Sequence, residues 1–196
     1  MRKLVLALGG SVVFALVALP IWRGATGAQA GAVAMDSTTA WVLAAGDTAG
    51  LPGPRQPIFF RHDVHAGQYK IPCQYCHYSV SASSEPGIPS LQTCMGCHLV
   101  LAGADSATRT EIQKVRDAYN EKKPMEWERV HALARHARFP HMSHIKVMGP
   151  NACGSCHGDV ARMPQLFKVN NISNMGWCID CHVAMDKSRD CSVCHY

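Results

Sequence analysis

Apolar residues are distributed along this chain in two different ways. After Met1-Arg2-Lys3, the stretch from Leu4 to Trp22 runs for nineteen residues without a charge. That length is enough for one helical crossing of a bilayer, and Trp22-Arg23 has the character of an interfacial terminus. The pattern predicts an N-terminal transmembrane anchor over residues 1–23. A secretory signal peptide is the competing reading, with Ala28-Gln29-Ala30 as its cleavage site, but the apolar run is longer than a usual signal core. Residues 24–56 are rich in Ala, Gly, Thr, Ser and Pro and end in Leu51-Pro52-Gly53-Pro54. They read as a linker with a short ordered piece around Trp41-Val42-Leu43.

From residue 57 to 196 no long apolar run recurs, and the alternation expected of strands is weak. The best periodic signal is Ile112, Val115 and Tyr119, which predicts a helix that starts at a Thr108-x-x-Glu111 capping box and ends by Pro124. A second short helix is expected from Met125 to Arg135. The predicted fold class is mostly irregular with short α-helices.

The cysteines explain how such a segment can fold. All ten belong to five copies of Cys-x-x-Cys-His: Cys73-Cys76-His77, Cys94-Cys97-His98, Cys153-Cys156-His157, Cys178-Cys181-His182 and Cys191-Cys194-His195. This spacing is the attachment signal for c-type haem, in which two thiols bond to the porphyrin and the next imidazole ligates its iron. A disulfide framework does not demand a histidine after every second cysteine. Zinc sites fit an odd number of pairs poorly. A thioredoxin-like motif occurs once in a βαβ unit, not five times. Each haem would be served by roughly 25 to 30 residues, too few for an ordinary core, so porphyrin must supply much of the buried apolar surface. The expectation is a pentahaem cytochrome c domain over 57–196 that folds with its cofactor.

The net charge of +5 does not indicate nucleic acid. Lys and Arg are dispersed, with no run longer than a pair. Five haems would also add roughly ten propionates, which much of the basic excess would compensate.

An internal repeat orders the domain. Phe60-x-His62-x-x-His65 precedes the first haem motif, and Phe139-x-His141-x-x-His144 precedes the third. The chain reads as two dihaem modules, roughly 58–100 and 138–184, with a fifth haem appended. Eleven histidines less the five in the motifs leave six: His62, His65, His131, His136, His141 and His144. Five are needed as distal ligands. The two-residue gap in each box lets its imidazoles reach different haems; His131 is the natural fifth ligand and His136 the spare. Met95, Met175 and Met185 compete as distal ligands, though methionine more often fills gaps in packing. Bis-imidazole iron has no open position for a substrate, so the sites should conduct electrons without catalysis.

The segments between the motifs resemble the pentahaem cytochrome c subunit of alternative complex III, a quinol-oxidising respiratory or photosynthetic complex. The matching residues are His65-Ala66-Gly67, Cys73-Gln74-Tyr75-Cys76-His77, Gly87-Ile88-Pro89-Ser90, Thr93-Cys94-Met95-Gly96-Cys97-His98, Trp127-x-Arg129-Val130-His131 and Met175-Gly176-Trp177-Cys178-Ile179-Asp180-Cys181-His182. The resemblance implies a subunit tethered to the cytoplasmic membrane, with its haem domain on the periplasmic side. Its implied partners are quinol-binding integral membrane subunits, an iron–sulfur subunit and a monohaem cytochrome, with cytochrome c or a blue-copper protein as soluble acceptor. By likeness to other cytochromes with the F-x-H-x-x-H box, His62 would serve the haem at Cys73 and His141 the one at Cys153. The alternatives are a freestanding membrane-anchored multihaem quinol dehydrogenase and a catalytic multihaem reductase acting on nitrite or a similar oxyanion.

Overall fold

The computed structural model describes residues 50–196 apart from 84 and 85. The anchor expected over 1–23 and most of the linker lie outside the described residues. Among the described residues no helix is long and apolar enough to cross a membrane.

The described chain is a series of short helices joined by irregular segments, without a β-strand. A single π-helical turn, Asp63–Gln68, carries the second histidine of the first box. It is followed by α1 (Cys73–Cys76), a 3₁₀ turn (Tyr78–Ser81), α2 (Leu91–His98) and α3 (Ser106–Asn120). Then come α4 (His141–Met148), α5 (Ala152–His157), a 3₁₀ turn (Val160–Arg162), α6 (Met175–Ala184) and α7 (Cys191–Cys194).

The longest helix, α3, is the one the apolar spacing predicts, but its N-cap is three residues earlier than the Thr108 capping box implies. Asp105 is the N-cap, accepting from the Thr108 backbone N–H at 2.8 Å and its hydroxyl at 2.9 Å. Glu111, freed from capping, accepts instead from the Phe59 N–H at 2.8 Å and pairs with Lys114. The helix ends in a Schellman arrangement. Lys122 takes a left-handed φ of 55°, while Lys123 N–H reaches the Ala118 carbonyl at 2.9 Å and Lys122 N–H reaches Tyr119 at 3.1 Å.

The helix expected from Met125 to Arg135 is absent; the segment is irregular. Its polar backbone is used by other parts of the chain. The Gln56 side chain donates to the Glu128 carbonyl and accepts from the Glu128 N–H, both at 2.9 Å. Ser173 donates to the Ala132 carbonyl at 3.1 Å. Tertiary partners have outcompeted the intrahelical ladder.

The polypeptide core is small. Ile58, Met95 and Val115 form its centre, flanked by Leu91, Cys94, Tyr119, Met125 and Trp127. This packs α2 against α3 and buries the side of α2 that carries Met95. Met163 is completely buried, and its carbonyl accepts from the Asp63 N–H at 3.1 Å. Buried Gln165 donates to the Pro52 and Gly53 carbonyls at 3.0 and 2.9 Å, fastening the start of the described chain to the domain.

Candidate haem-attachment sites

All five Cys-x-x-Cys-His motifs lie on a helical turn: in α1, α2, α5, α6 and α7, with His77 and His195 at the C-caps of α1 and α7. Residues at i, i+3 and i+4 of a helix share a face. Each turn therefore presents two thiols and one imidazole side by side, as attachment of a single planar macrocycle requires. None of the ten cysteines is in a disulfide. Burial raises the thiol pKa of Cys76, Cys94, Cys153, Cys156 and Cys178.

The imidazoles are held in the tautomer that iron needs. A carbonyl can only accept, so a ring nitrogen bonded to one must carry the hydrogen, and this leaves the other nitrogen's lone pair for metal. Nδ1 of His77 donates to the Gly87 carbonyl at 3.4 Å, His98 to Leu101 at 3.1 Å, His182 to Ser188 at 2.6 Å and His195 to His136 at 2.8 Å. The second histidines of the two boxes do the same one turn back: His65 to Arg61 at 2.8 Å and His144 to Pro140 at 3.0 Å.

The duplicated boxes also match in their ring geometry. Phe60 stacks on His65 at 4.4 Å and meets His62 edge-on at 4.9 Å. Phe139 stacks on His144 at 4.0 Å and meets His141 edge-on at 4.7 Å. One phenyl ring thus aims two imidazoles in different directions.

Those directions end at motif histidines. The rings of His65 and His98 are 6.1 Å apart, and those of His144 and His182 are 6.2 Å apart. Two metal–imidazole bonds of about 2.0 Å each, with roughly 1.1 Å from nitrogen to ring centre on either side, separate the centroids by about 6 Å. Both pairs are therefore spaced for one iron between them. The first histidine of each box approaches its own module's first motif. Burial, aided by nearby His77, pushes His62 down to about 4. Burial also pushes His157 down to about 4, with His131 and His141 adding. Neutral imidazoles are the ones that can ligate. The Nδ1 of His62, unlike that of His65, is buried without a hydrogen-bond partner.

His131, expected as the fifth ligand, and His136, expected as the spare, are placed by tertiary packing. His131 meets His157 edge-on at 4.5 Å, too close for a metal between the two rings as they stand, and it is not the ring beside His195. His136 occupies that place, stacked at 5.5 Å with an interplanar angle of 22°. Its carbonyl already holds the His195 Nδ1. A single histidine is too short to place its carbonyl at Nδ1 and its own ring beyond Nε2 of the same imidazole, so His136 supports His195 instead of facing it across iron. No offset in the sequence signalled this role.

The methionines are also placed. Met95 is buried in the core with Ile58 and Val115. Met185 Sδ lies 3.8 Å from Cys181 Sγ, beside its own motif, and Met175 is exposed.

The apolar surface supports the same cofactor. Tyr75, Tyr78, Leu99, Val100, Val183 and Val193 are all exposed, and each lies inside a motif or within two residues of its histidine. Exposed apolar side chains beside the attachment turns fit burial by a covering porphyrin.

The repeated attachment turns and tautomer-fixed imidazole pairs define a multihaem c-type cytochrome. No family model matches the chain. It is 28% identical over 164 residues to the menaquinone reductase multiheme cytochrome c subunit of Nitratidesulfovibrio vulgaris, an alignment covering 71% of this chain and 76% of that protein.

Proposed function

We propose that this chain is the electron-transfer subunit of a membrane-bound, quinol-linked complex of the alternative complex III type, with five covalently attached c-type haems. In this reading residues 1–23 anchor it in the cytoplasmic membrane and the haem domain works on the periplasmic side. It receives electrons derived from a quinol and delivers them to a monohaem subunit, a cytochrome c or a blue-copper protein. The likeness to a menaquinone reductase subunit supports the link to quinols; the oxidising direction rests on the resemblance to alternative complex III.

The observation that carries the proposal is the pairing of His65 with His98 and His144 with His182 at about 6 Å with every Nδ1 tied to a carbonyl. A bound c-type haem supplies one-electron redox chemistry. His65 with His98 and His144 with His182 would hold the iron, and their carbonyl-fixed rings would keep substrate away from it. His62 would complete the site at His77 and His141 the one at His157, and His131 would serve the remaining site once its ring leaves the 4.5 Å contact with His157. The five distal histidines are thus His62, His65, His131, His141 and His144. The Ala variant of any of these five histidines is expected to turn one low-spin haem high-spin, whereas His136→Ala leaves the low-spin count unchanged.

Purification in mild detergent tests the assignment. The expected result is co-purification with integral quinol-binding subunits and an iron–sulfur subunit, together with quinol oxidation. Recovery alone with quinol oxidation intact would establish a freestanding dehydrogenase instead. Appreciable carbon monoxide binding by the reduced native protein would point to a catalytic reductase.

A further inference from the structure

We infer that the five attachment sites are strung in the spatial order second, first, third, fourth, fifth, so that electrons enter and leave at the sites of Cys94–His98 and Cys191–His195. This rests on the reading of the chain as a multihaem electron carrier. The order differs from the order of the motifs in sequence, and it is set by contacts between motifs.

The second site joins the first through box one. His65, across from His98, accepts at its carbonyl from the Ile71 N–H at 3.0 Å, two residues before Cys73. The Cys76 thiol also feels Cys97 of the second motif, and Cys94 feels Cys76.

The first site joins the third directly. The Cys73 thiol is among the neighbours of the Cys153 thiol. Helix α4 packs on the Tyr78–Ser81 turn that follows His77, and on α5, which bears the third motif. His77 is also among the neighbours of His157.

The third site joins the fourth through box two. Helix α4 packs on α5 and places His144 across from His182 in α6. The Cys156 thiol feels Cys181 and Cys178 of the fourth motif.

The fourth site joins the fifth by a taut connection. Asp186 takes a left-handed φ of 50° at the end of α6, Lys187 N–H returns to the His182 carbonyl at 2.7 Å, and Ser188 O receives the His182 Nδ1 hydrogen. The Cys178 thiol has Cys194 as a neighbour. The Arg138 N–H bonds the Cys194 carbonyl at 2.7 Å, which pins the fifth motif next to box two.

Each site except the second and fifth thus has two neighbouring sites. One electron taken up as ferric iron is reduced at one end is matched by one electron lost as ferrous iron is oxidised at the other. A quinol donor yields two electrons and two protons in all, and the protons do not travel along this path.

Iron–iron distances in an experimental structure of the holoprotein within its complex test the order. The expected result is that the nearest iron to the second is the first, the nearest to the fifth is the fourth, and the first and third are neighbours. An iron at the second or fifth site flanked by two others would overturn the order. Fewer than five irons would overturn the pentahaem reading itself, so the two failures are distinguishable. Pulsed electron paramagnetic resonance gives a second readout. A high-spin centre made by His65→Ala should enhance the relaxation of one neighbouring haem, and enhancement of two neighbours contradicts a terminal second site.

Discussion

Gly67→Ala should damage the second haem site although Gly67 touches no cofactor-attaching residue. A Cβ built at Gly67 would collide with the Ala161 carbonyl oxygen, a backbone atom of the Val160–Arg162 turn. That turn cannot simply retreat, because the Met163 carbonyl following it holds the Asp63 N–H at 3.1 Å. Overpacking of this kind costs about 1–3 kcal/mol, and losing the Asp63–Met163 bond would add about 0.5–1.5 kcal/mol. The variant should therefore be less stable by about 2–4 kcal/mol, which for a chain of this size corresponds to a thermal midpoint lower by roughly 5–15 °C. Because His65 lies in the same π-helical turn, the displacement should also move its imidazole from His98 and convert part of one low-spin haem signal to high spin. Gly50→Ala is the control: its Cβ meets nothing within 4 Å and it lies outside every attachment motif. Equal melting of the two variants, each with all haems low-spin, would refute the close-approach reasoning.

Three other predictions concern the ligand pairs, a cap and a tether. His65→Ala and His144→Ala should each convert one haem to high spin without changing the number attached, because the box histidines ligate iron but do not bond to porphyrin; loss of a haem by mass would contradict this. The Asp105 carboxyl is held below its ordinary range by the Thr108 N–H and hydroxyl. Its folded-state pKa is depressed, so its capping is present above the usual carboxylate pKa of about 3.9 and is lost as pH falls through the lowered value. Hydrogen exchange at the Thr108 amide, corrected for intrinsic rate, should therefore quicken in strong acid, and Asp105→Ala should remove that dependence. Gln165→Leu deletes the donor to the Pro52 and Gly53 carbonyls, so trypsin should cut after Arg55 faster than in the unaltered chain; unchanged cleavage would show that the tether is immaterial.

How much of this was legible in the sequence depends on the range of the interactions involved. The attachment motifs are local, and their i, i+3, i+4 spacing alone implies a shared helical face, which the five turns present. The two boxes were equally legible, and the matching Phe60 and Phe139 geometry shows a true structural repeat. The α3 helix was visible in Ile112 and Val115, but its cap was not, since both Asp105 and Thr108 have side chains suited to capping and only the structure shows which oxygen accepts. The 125–135 segment was misread because its partners, Gln56 and Ser173, are distant in sequence. The same holds for His131 and His136, whose neighbours His157 and His195 are set by tertiary packing.

The central claim is that all ten cysteines serve five covalent haems. Intact mass spectrometry of the denatured holoprotein tests it most directly. The mass should exceed that of the polypeptide by five haem groups and survive acid–organic extraction, with no thiol left to alkylate. A protein carrying fewer haems, with the cysteines of any motif free to alkylate, would contradict the account.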